Sequence, residues 1–100
     1  FNAQNLSMVL WSLAKLNINM EKRLPGFMDT WFRSFEHWHV GFNAQGLANC
    51  LWALASLNAL KKLHIPDVFL EQWNEQFSAK ADSFRAQSLS TVVWAMGKLN

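Results

Sequence analysis

Two histidines, His37 and His39, flank Trp38 and form the closest pair of potential metal ligands in the sequence. A zinc site takes three or four ligands. Neither Glu36 nor the distant His64 completes such a set, so the sequence predicts no metal site. It also contains no glycine-rich phosphate loop, no nucleophile elbow and no repeated pair of carboxylates. We therefore expect a protein that is not an enzyme and that uses no cofactor.

The composition fits a folded protein without pointing to a ligand. Of 100 residues, 51% are hydrophobic and 16% are charged, which excludes a disordered chain of low hydrophobicity. The net charge of +2 is too small to require a nucleic-acid partner. No apolar run approaches the roughly 18 residues of a membrane span. The single cysteine, Cys50, excludes an internal disulfide framework and weakly favours a reducing compartment.

An internal repeat is the strongest signal in the sequence. Seven of 17 aligned positions are identical in three segments, which are residues 1–17, 42–58 and 84–100. A looser match aligns Pro25, Trp31 and Phe35 with a second set, which is Pro66, Trp73 and Phe77. The repeats are therefore 1–41 and 42–83, each with two elements, and 84–100, which holds one. Because the chain opens and closes within this pattern, we expect a fragment of a longer array.

Both elements of the repeat are predicted to be helices. Leucines recur at helical spacing in the first element, and Asn2 and Asn43 stand at the positions of N-caps. Arg85 replaces this Asn in the third copy, so Ser83 or Asp82 is the predicted cap there. The closing asparagines suit the left-handed residue after a helix, and they are Asn17, Asn58 and Asn100. Second helices are predicted to begin near the prolines at residues 25 and 66. Their predicted apolar stripes are Trp31, Phe32 and Phe35 in one helix and Phe69, Trp73 and Phe77 in the other.

Positions that vary between the copies form a candidate ligand-binding stripe on the first helices. Its members are Asn5, Met8, Ser12, Lys15, Asn49, Ser56, Ser88, Thr91 and Lys98. A constant frame with a variable polar stripe is what a reader of one base per repeat needs. The alternative is that these residues form only the solvated side of amphipathic helices.

Other repeated residues are assigned to structure rather than to a site. The invariant Gln4, Gln45 and Gln87 are expected to satisfy backbone groups of adjoining loops, although they could contact a ligand. A second invariant set, Trp11, Trp52 and Trp94, is expected in the core and not on a base-stacking surface. Cys50 is predicted to be a small core residue. Trp38 breaks the pattern and is the expected exposed aromatic.

The first element resembles a known family of repeats. Its signature, Phe-Asn-Ala-Gln-x-Leu-x-x-x-Leu-Trp-x-Leu-Ala-x-Leu-Asn, is similar to the octotricopeptide repeat and to the helical repeats that precede RAP domains in organellar proteins. Residues 51–57 match the shared Leu-Trp-Ala-Leu-Ala-x-Leu core most closely. Related repeats occur in bacterial effectors, including the SKWP type. The sequence departs from these, with Ala-Lys-Leu-Asn or Ala-Ser-Leu-Asn in place of Ser-Lys-Trp-Pro.

Fold and function follow as expectations. The fold is an all-α solenoid of paired antiparallel helices, with about 42 residues per repeat and five helices, comparable to HEAT and armadillo arrays. The resemblance implies single-stranded RNA as the ligand and an organelle as the location. The alternative is a protein-binding segment of an effector secreted into a host cell. No membrane contact is expected, and the last helix should pack on further repeats or another chain through Leu89, Val93 and Met96.

Overall fold

Five α-helices make up most of the computed structural model, which describes residues 2–16, 26–61 and 64–99. They are α1 (Ala3–Lys15), α2 (Phe27–Trp38), α3 (Ala44–Lys61), α4 (Asp67–Ala79) and α5 (Ala86–Leu99). Short 3₁₀ turns at His39–Gly41 and Ala81–Ser83 precede α3 and α5. These ranges contain five α-helices and no strand, so within them the prediction of an all-α fold is confirmed.

Asparagine side chains begin the first two repeats as predicted. The Asn2 side chain accepts a hydrogen bond from the Asn5 backbone at 2.9 Å, and the Asn5 side chain accepts one from the Asn2 backbone at 3.2 Å. At the start of α3, Asn43 Oδ1 accepts from the Gly46 backbone at 2.7 Å. These bonds satisfy amides that have no partner within the helix.

The predicted end of α3 at Asn58 is wrong. The helix continues through Asn58 to Lys61. The three residues after Asn58 are Ala, Leu and Lys, which are all strong helix formers, so nothing in the local sequence stops the helix there. The equivalent Asn17 and Asn100 lie outside the described residues, as does Pro25.

Arg85 occupies the N-cap position of α5, where the sequence pointed to Ser83 or Asp82. Its carbonyl accepts from the Leu89 backbone at 2.9 Å, as the Asn2 and Asn43 carbonyls do from Leu6 and Leu47. Ser83 and Asp82 lie in the preceding 3₁₀ turn. An arginine side chain has no acceptor and cannot cap a backbone amide.

Replacing Arg85 with Asn should therefore stabilise the protein. We expect the free energy of unfolding to rise by about 0.5–1.5 kcal/mol, because the new amide oxygen can accept from the first turn of α5. Denaturant titration measures the change, and Arg85→Ala is the control for loss of the charge. Equal stability of the two variants would show that α5 needs no such cap.

The second helices begin by two different means. Gly26 precedes α2 with φ +78°, a left-handed conformation that glycine adopts without strain. Pro66 is the N-cap of α4, close to the predicted start. Asp29 and Asp67 lie in the first turns of these helices, where the helix dipole favours negative charge.

Helix α3 is the centre of the packing, between α1 on one side and α5 on the other. Small side chains on several sides of this helix are fully buried, among them Cys50, Ala53 and Ala55. The seam with α1 is close, since a Cβ added to Gly41 would lie 3.4 Å from the Ala3 Cβ, and Ser7 Oγ donates to the Gly46 carbonyl at 3.4 Å. Small residues allow this approach, and their burial fixes which sides of the first helices face one another.

Each second helix is attached to its own repeat by a tryptophan. Trp31 Nε1 donates to the Leu6 carbonyl at 3.0 Å, and Trp73 Nε1 donates to the Leu47 carbonyl at 2.9 Å. Leu6 and Leu47 are equivalent positions in the aligned segments. Both indoles are buried, and these hydrogen bonds satisfy their N–H groups within the core.

A phenylalanine four residues later joins each second helix to the next repeat. Phe35 stacks on Trp31 with ring centroids 5.6 Å apart and meets Phe42 edge-on at 4.9 Å. Phe77 stacks on Trp73 at 5.4 Å and meets Phe84 edge-on at 4.7 Å. The same three-ring contact thus occurs twice. The predicted apolar stripes of both second helices are confirmed.

Lys80 connects the end of α4 to the turn before α3 through hydrogen bonds. Its ammonium donates to the carbonyls of Val40 and Phe42 and, at 2.8 Å, to the side-chain oxygen of Gln76. Partial burial lowers the pKa of Lys80 below its ordinary value. The residue is therefore part of the structure that joins the first two repeats.

Candidate functional site

The first helices of the three repeats lie side by side and present equivalent residues on one surface. We call this surface the first-helix face. It consists of three rows at helical spacing, which are Gln4, Met8, Trp11 and Lys15 on α1, Gln45, Asn49, Trp52 and Ser56 on α3, and Gln87, Thr91, Trp94 and Lys98 on α5. Residues separated by four, seven and eleven positions share one side of a helix.

Two grooves run between the N-terminal halves of these helices. The first has a volume of about 420 Å³ and lies between Gln4 and Met8 of α1 and Gln45 and Asn49 of α3. The second, of about 550 Å³, lies between α3 and α5. Its lining includes Gln45, Asn49, Arg85, Gln87, Ser88 and Thr91. Asn49 borders both grooves, and amide and hydroxyl groups are available along their length.

Indoles and lysines occupy the other half of the face. Lys15 Nζ lies 5.3 Å from the ring centroid of Trp11 and 5.4 Å from that of Trp52, so it bridges α1 and α3. The rings of Trp52 and Trp94 are 6.4 Å apart with 29° between their planes. Lys98 Nζ is 5.7 Å from the Trp94 ring. These are cation–π distances, and they place three indoles and two ammonium groups in one row.

The structure corrects the prediction that these three tryptophans lie in the core. Trp11 is 41% exposed and Trp94 is 44% exposed, while Trp52 between them is half-buried against core residues. The core positions of the first helices are taken instead by the leucines and by the small residues of the seams. The indoles border the stack of helices and form an ordered surface row.

The predicted stripe divides into two groups. Six members lie in a groove or in the indole row, and these are Met8, Lys15, Asn49, Ser88, Thr91 and Lys98. Asn5 forms the capping box of α1, and its equivalent in α3, Gly46, lies in the α1–α3 seam.

Two further members of the stripe lie outside the grooves. Ser12 is exposed on the side of α1 whose equivalents, Ala53 and Ala95, are fully buried in the helix stack. Ser56 is half-buried and lines neither groove. Of these two residues, Ser12 belongs by its equivalents to the side of the first helices that forms the stack, whereas Ser56 is a member of the first-helix face outside the two grooves.

The invariant glutamines, which sequence reasoning assigned to structure, are exposed. Gln4 lines the first groove, Gln87 lines the second, and Gln45 lines both. They precede the variable Met8, Asn49 and Thr91 by one helical turn, and the tryptophans follow these by less than one turn. This spacing is the sequence feature that indicates the place of the glutamines, because it puts the invariant Gln and Trp and the variable residue between them on the same side of the helix.

The charges are distributed unevenly between first and second helices. The sequences of α1, α3 and α5 contain no Asp or Glu. Helices α2 and α4 carry most of the carboxylates, which are Asp29, Glu36, Asp67, Glu71 and Glu75. The net charge of the chain is small, but the only charged members of the first-helix face are two cations, Lys15 and Lys98.

The histidine pair is not part of this face and lies at the end of α2 and the start of the following 3₁₀ turn. His39 Nδ1 is 2.8 Å from the Glu36 carbonyl, and the His37 ring meets Trp38 edge-on at 4.8 Å. Within the described ranges, no group of three or more potential ligands is placed to hold a metal ion. Trp38 is 39% exposed, which confirms the prediction of an exposed aromatic there.

Cys50 is fully buried, as predicted for a small core residue, and its thiol contacts the Leu47 carbonyl at 3.3 Å. Burial raises the pKa of the Cys50 thiol far above its ordinary value. We expect a thiol reagent at pH 8 to leave Cys50 unmodified in the folded protein and to modify it fully in denaturant. Rapid modification without denaturant would contradict the burial of this side chain.

Comparisons with known proteins do not assign the chain to a family. No protein-family model matches it, and no curated protein or solved structure shows significant similarity to it. None of the helices in the described ranges is long and apolar enough to cross a membrane.

Proposed function

We propose that this chain is a non-catalytic segment of a helical-repeat protein and binds single-stranded RNA on the first-helix face. Residues 1–41, 42–83 and 84–100 are successive units of an α-solenoid, in which first helices stack on first helices. The recurring Trp–Leu hydrogen bonds and the recurring three-ring contacts support equivalent units. The resemblance to octotricopeptide repeats supports RNA as the ligand.

The row of indoles carries the proposal. Trp11 and Trp94 leave more than two fifths of their surface open to water, and with Trp52 they form a row of neighbouring aromatic side chains, whereas single exposed apolar side chains occur on any protein surface. Single-strand binding proteins stack bases on such aromatic side chains, and each stack contributes about 1–3 kcal/mol. Lys15 and Lys98 lie against the same rings, where they can meet the phosphates of a stacked strand.

The grooves supply groups for reading base edges. In each row of the first-helix face, one variable residue lies between the invariant glutamine and the invariant tryptophan, and it is Met8, Asn49 or Thr91. Asn and Thr side chains donate and accept hydrogen bonds, whereas Met offers only apolar contact. A strand that follows the three helices would therefore meet one different side chain per repeat. A merely solvated surface would carry more charge than these rows do.

Fluorescence anisotropy with a labelled single-stranded RNA of mixed sequence tests the proposal. We expect binding at low salt, weaker binding of the matching duplex, and a shallow salt dependence. The cations available to the ligand are Lys15 and Lys98 in the indole row and Arg85 in the second groove. With two to three such contacts, the slope of log K against log salt concentration should be about −1.5 to −2. Absence of binding at low salt, or a preference for the duplex, would contradict the proposal. A protein that is retained on the chain after nuclease treatment would favour the protein-binding alternative.

A further inference from the structure

Helix α5 carries an apolar surface whose equivalents in α1 and α3 are covered. Leu89, Val93 and Met96 are 40%, 71% and 44% exposed. Their equivalents in α3, which are Leu47, Leu51 and Leu54, are all completely buried. In α1 the equivalent Leu6 and Leu10 are buried as well. The exposure of all three residues was expected from the sequence.

In the first two repeats, the equivalent surface of the first helix is covered by the second helix. Helix α2 covers it on α1 and α4 covers it on α3, each with a buried Trp that donates to the carbonyl of the first leucine. The donor follows that leucine by 25 residues in one case and 26 in the other. On α5 the corresponding acceptor is the carbonyl of Leu89. A backbone carbonyl has two lone pairs, so its bond within the helix leaves one free for an indole.

We propose that the surface formed by Leu89, Val93 and Met96 is a docking site for an amphipathic helix of the α4 type. The partner carries a Trp and a Phe four residues apart. Its indole N–H donates to the Leu89 carbonyl, and its apolar side covers Val93. The surface is separate from the first-helix face, so the proposal does not depend on RNA binding.

Extending the chain tests the proposal without relying on a short peptide, whose isolated helix would be marginal in water. A second copy of residues 59–80 is appended after Asn100, because Asn100 and Asn58 are equivalent positions. The appended tryptophan then follows Leu89 by 26 residues. The control extension has the same length and charge but carries Ala in place of the appended Trp and Phe.

We expect the extended chain to melt at least about 5 °C above the control, because docking buries a Trp, a Phe and the surface of α5. The appended indole N–H should exchange as slowly with solvent as those of Trp31 and Trp73. Val93→Lys should remove the gain in the extended chain and leave the melting temperature of the original chain within about 2 °C, because Val93 is 71% exposed there.

Three results would overturn the proposal. One is equal melting temperatures of the two extensions, which would show that the pattern of α4 is not recognised. Another is a dimer of the original chain that Val93→Lys dissolves, because a second copy would then be the occupant. The last is a loss of RNA affinity in Val93→Lys, which would place the nucleic acid on this surface instead.

Discussion

Trp73→Ala is expected to lower the free energy of unfolding by about 3–5 kcal/mol, the range for removing a buried Trp or Phe side chain. The indole is 3% exposed, stacks on Phe77 and donates to the Leu47 carbonyl at 2.9 Å. A domain of this size is stable by only about 5–15 kcal/mol, so the loss should be visible as a lower midpoint in urea. Trp73→Phe keeps the aromatic packing and loses the hydrogen bond, and it should cost less, about 1–2 kcal/mol.

Trp94→Ala is the matched control, because it removes the same side chain from an exposed position. Trp94 is 44% exposed and contacts only Trp52 and Lys98 among the described aromatic and cation–π pairs. We expect it to cost under about 1 kcal/mol of stability. Equal losses in the two variants would mean that both indoles are core residues, as the sequence suggested for Trp94.

The same exposed indole should matter for binding. Trp94→Ala is expected to weaken the affinity for single-stranded RNA by about 5- to 150-fold, which corresponds to the 1–3 kcal/mol of one base stack. Trp11→Ala should act similarly, since Trp11 is also exposed and lies on the other side of Trp52. Anisotropy titrations at one fixed low salt concentration measure both losses.

Trp38→Ala tests whether RNA affinity depends on the indoles of the first-helix face or on any exposed indole. Trp38 is 39% exposed but ends α2, lines neither groove and is not a member of the first-helix face. Its replacement should leave RNA affinity within about twofold and stability within about 0.5 kcal/mol, as for other surface substitutions. If Trp38→Ala weakened binding as much as Trp94→Ala, RNA would be contacting indoles without regard to their place in the fold.

The local elements were predictable from the sequence because their signals are local. Asn2 and Asn43 stand immediately before the helices that they cap, and the buried leucines follow at helical spacing. The aromatic residues of the second helices were also assigned correctly, since Trp31 and Trp73 recur at equivalent places beside other apolar residues. These features depend on residues within a few turns of one another.

The placement of the invariant tryptophans was not predictable in the same way. A large apolar residue that recurs in three copies ordinarily belongs to the core, and periodicity alone does not show which sides of a helix meet its neighbours. Here the sides with small residues, such as Ala3, Ser7 and Ala48, form the seams. The indoles are left at the border of the stack, next to lysines that a core position would exclude. Only the arrangement of α1, α3 and α5 decides this.

The six indole N–H groups provide the most direct test of RNA binding on the first-helix face. A ¹⁵N–¹H NMR titration with single-stranded RNA should shift the indole signals of Trp11, Trp52 and Trp94. The signals of Trp31 and Trp73, which are hydrogen-bonded in the core, should stay unchanged, as should that of the exposed Trp38. Shifts confined to Trp38, or equal shifts in all six signals, would contradict an RNA-binding surface on the first helices.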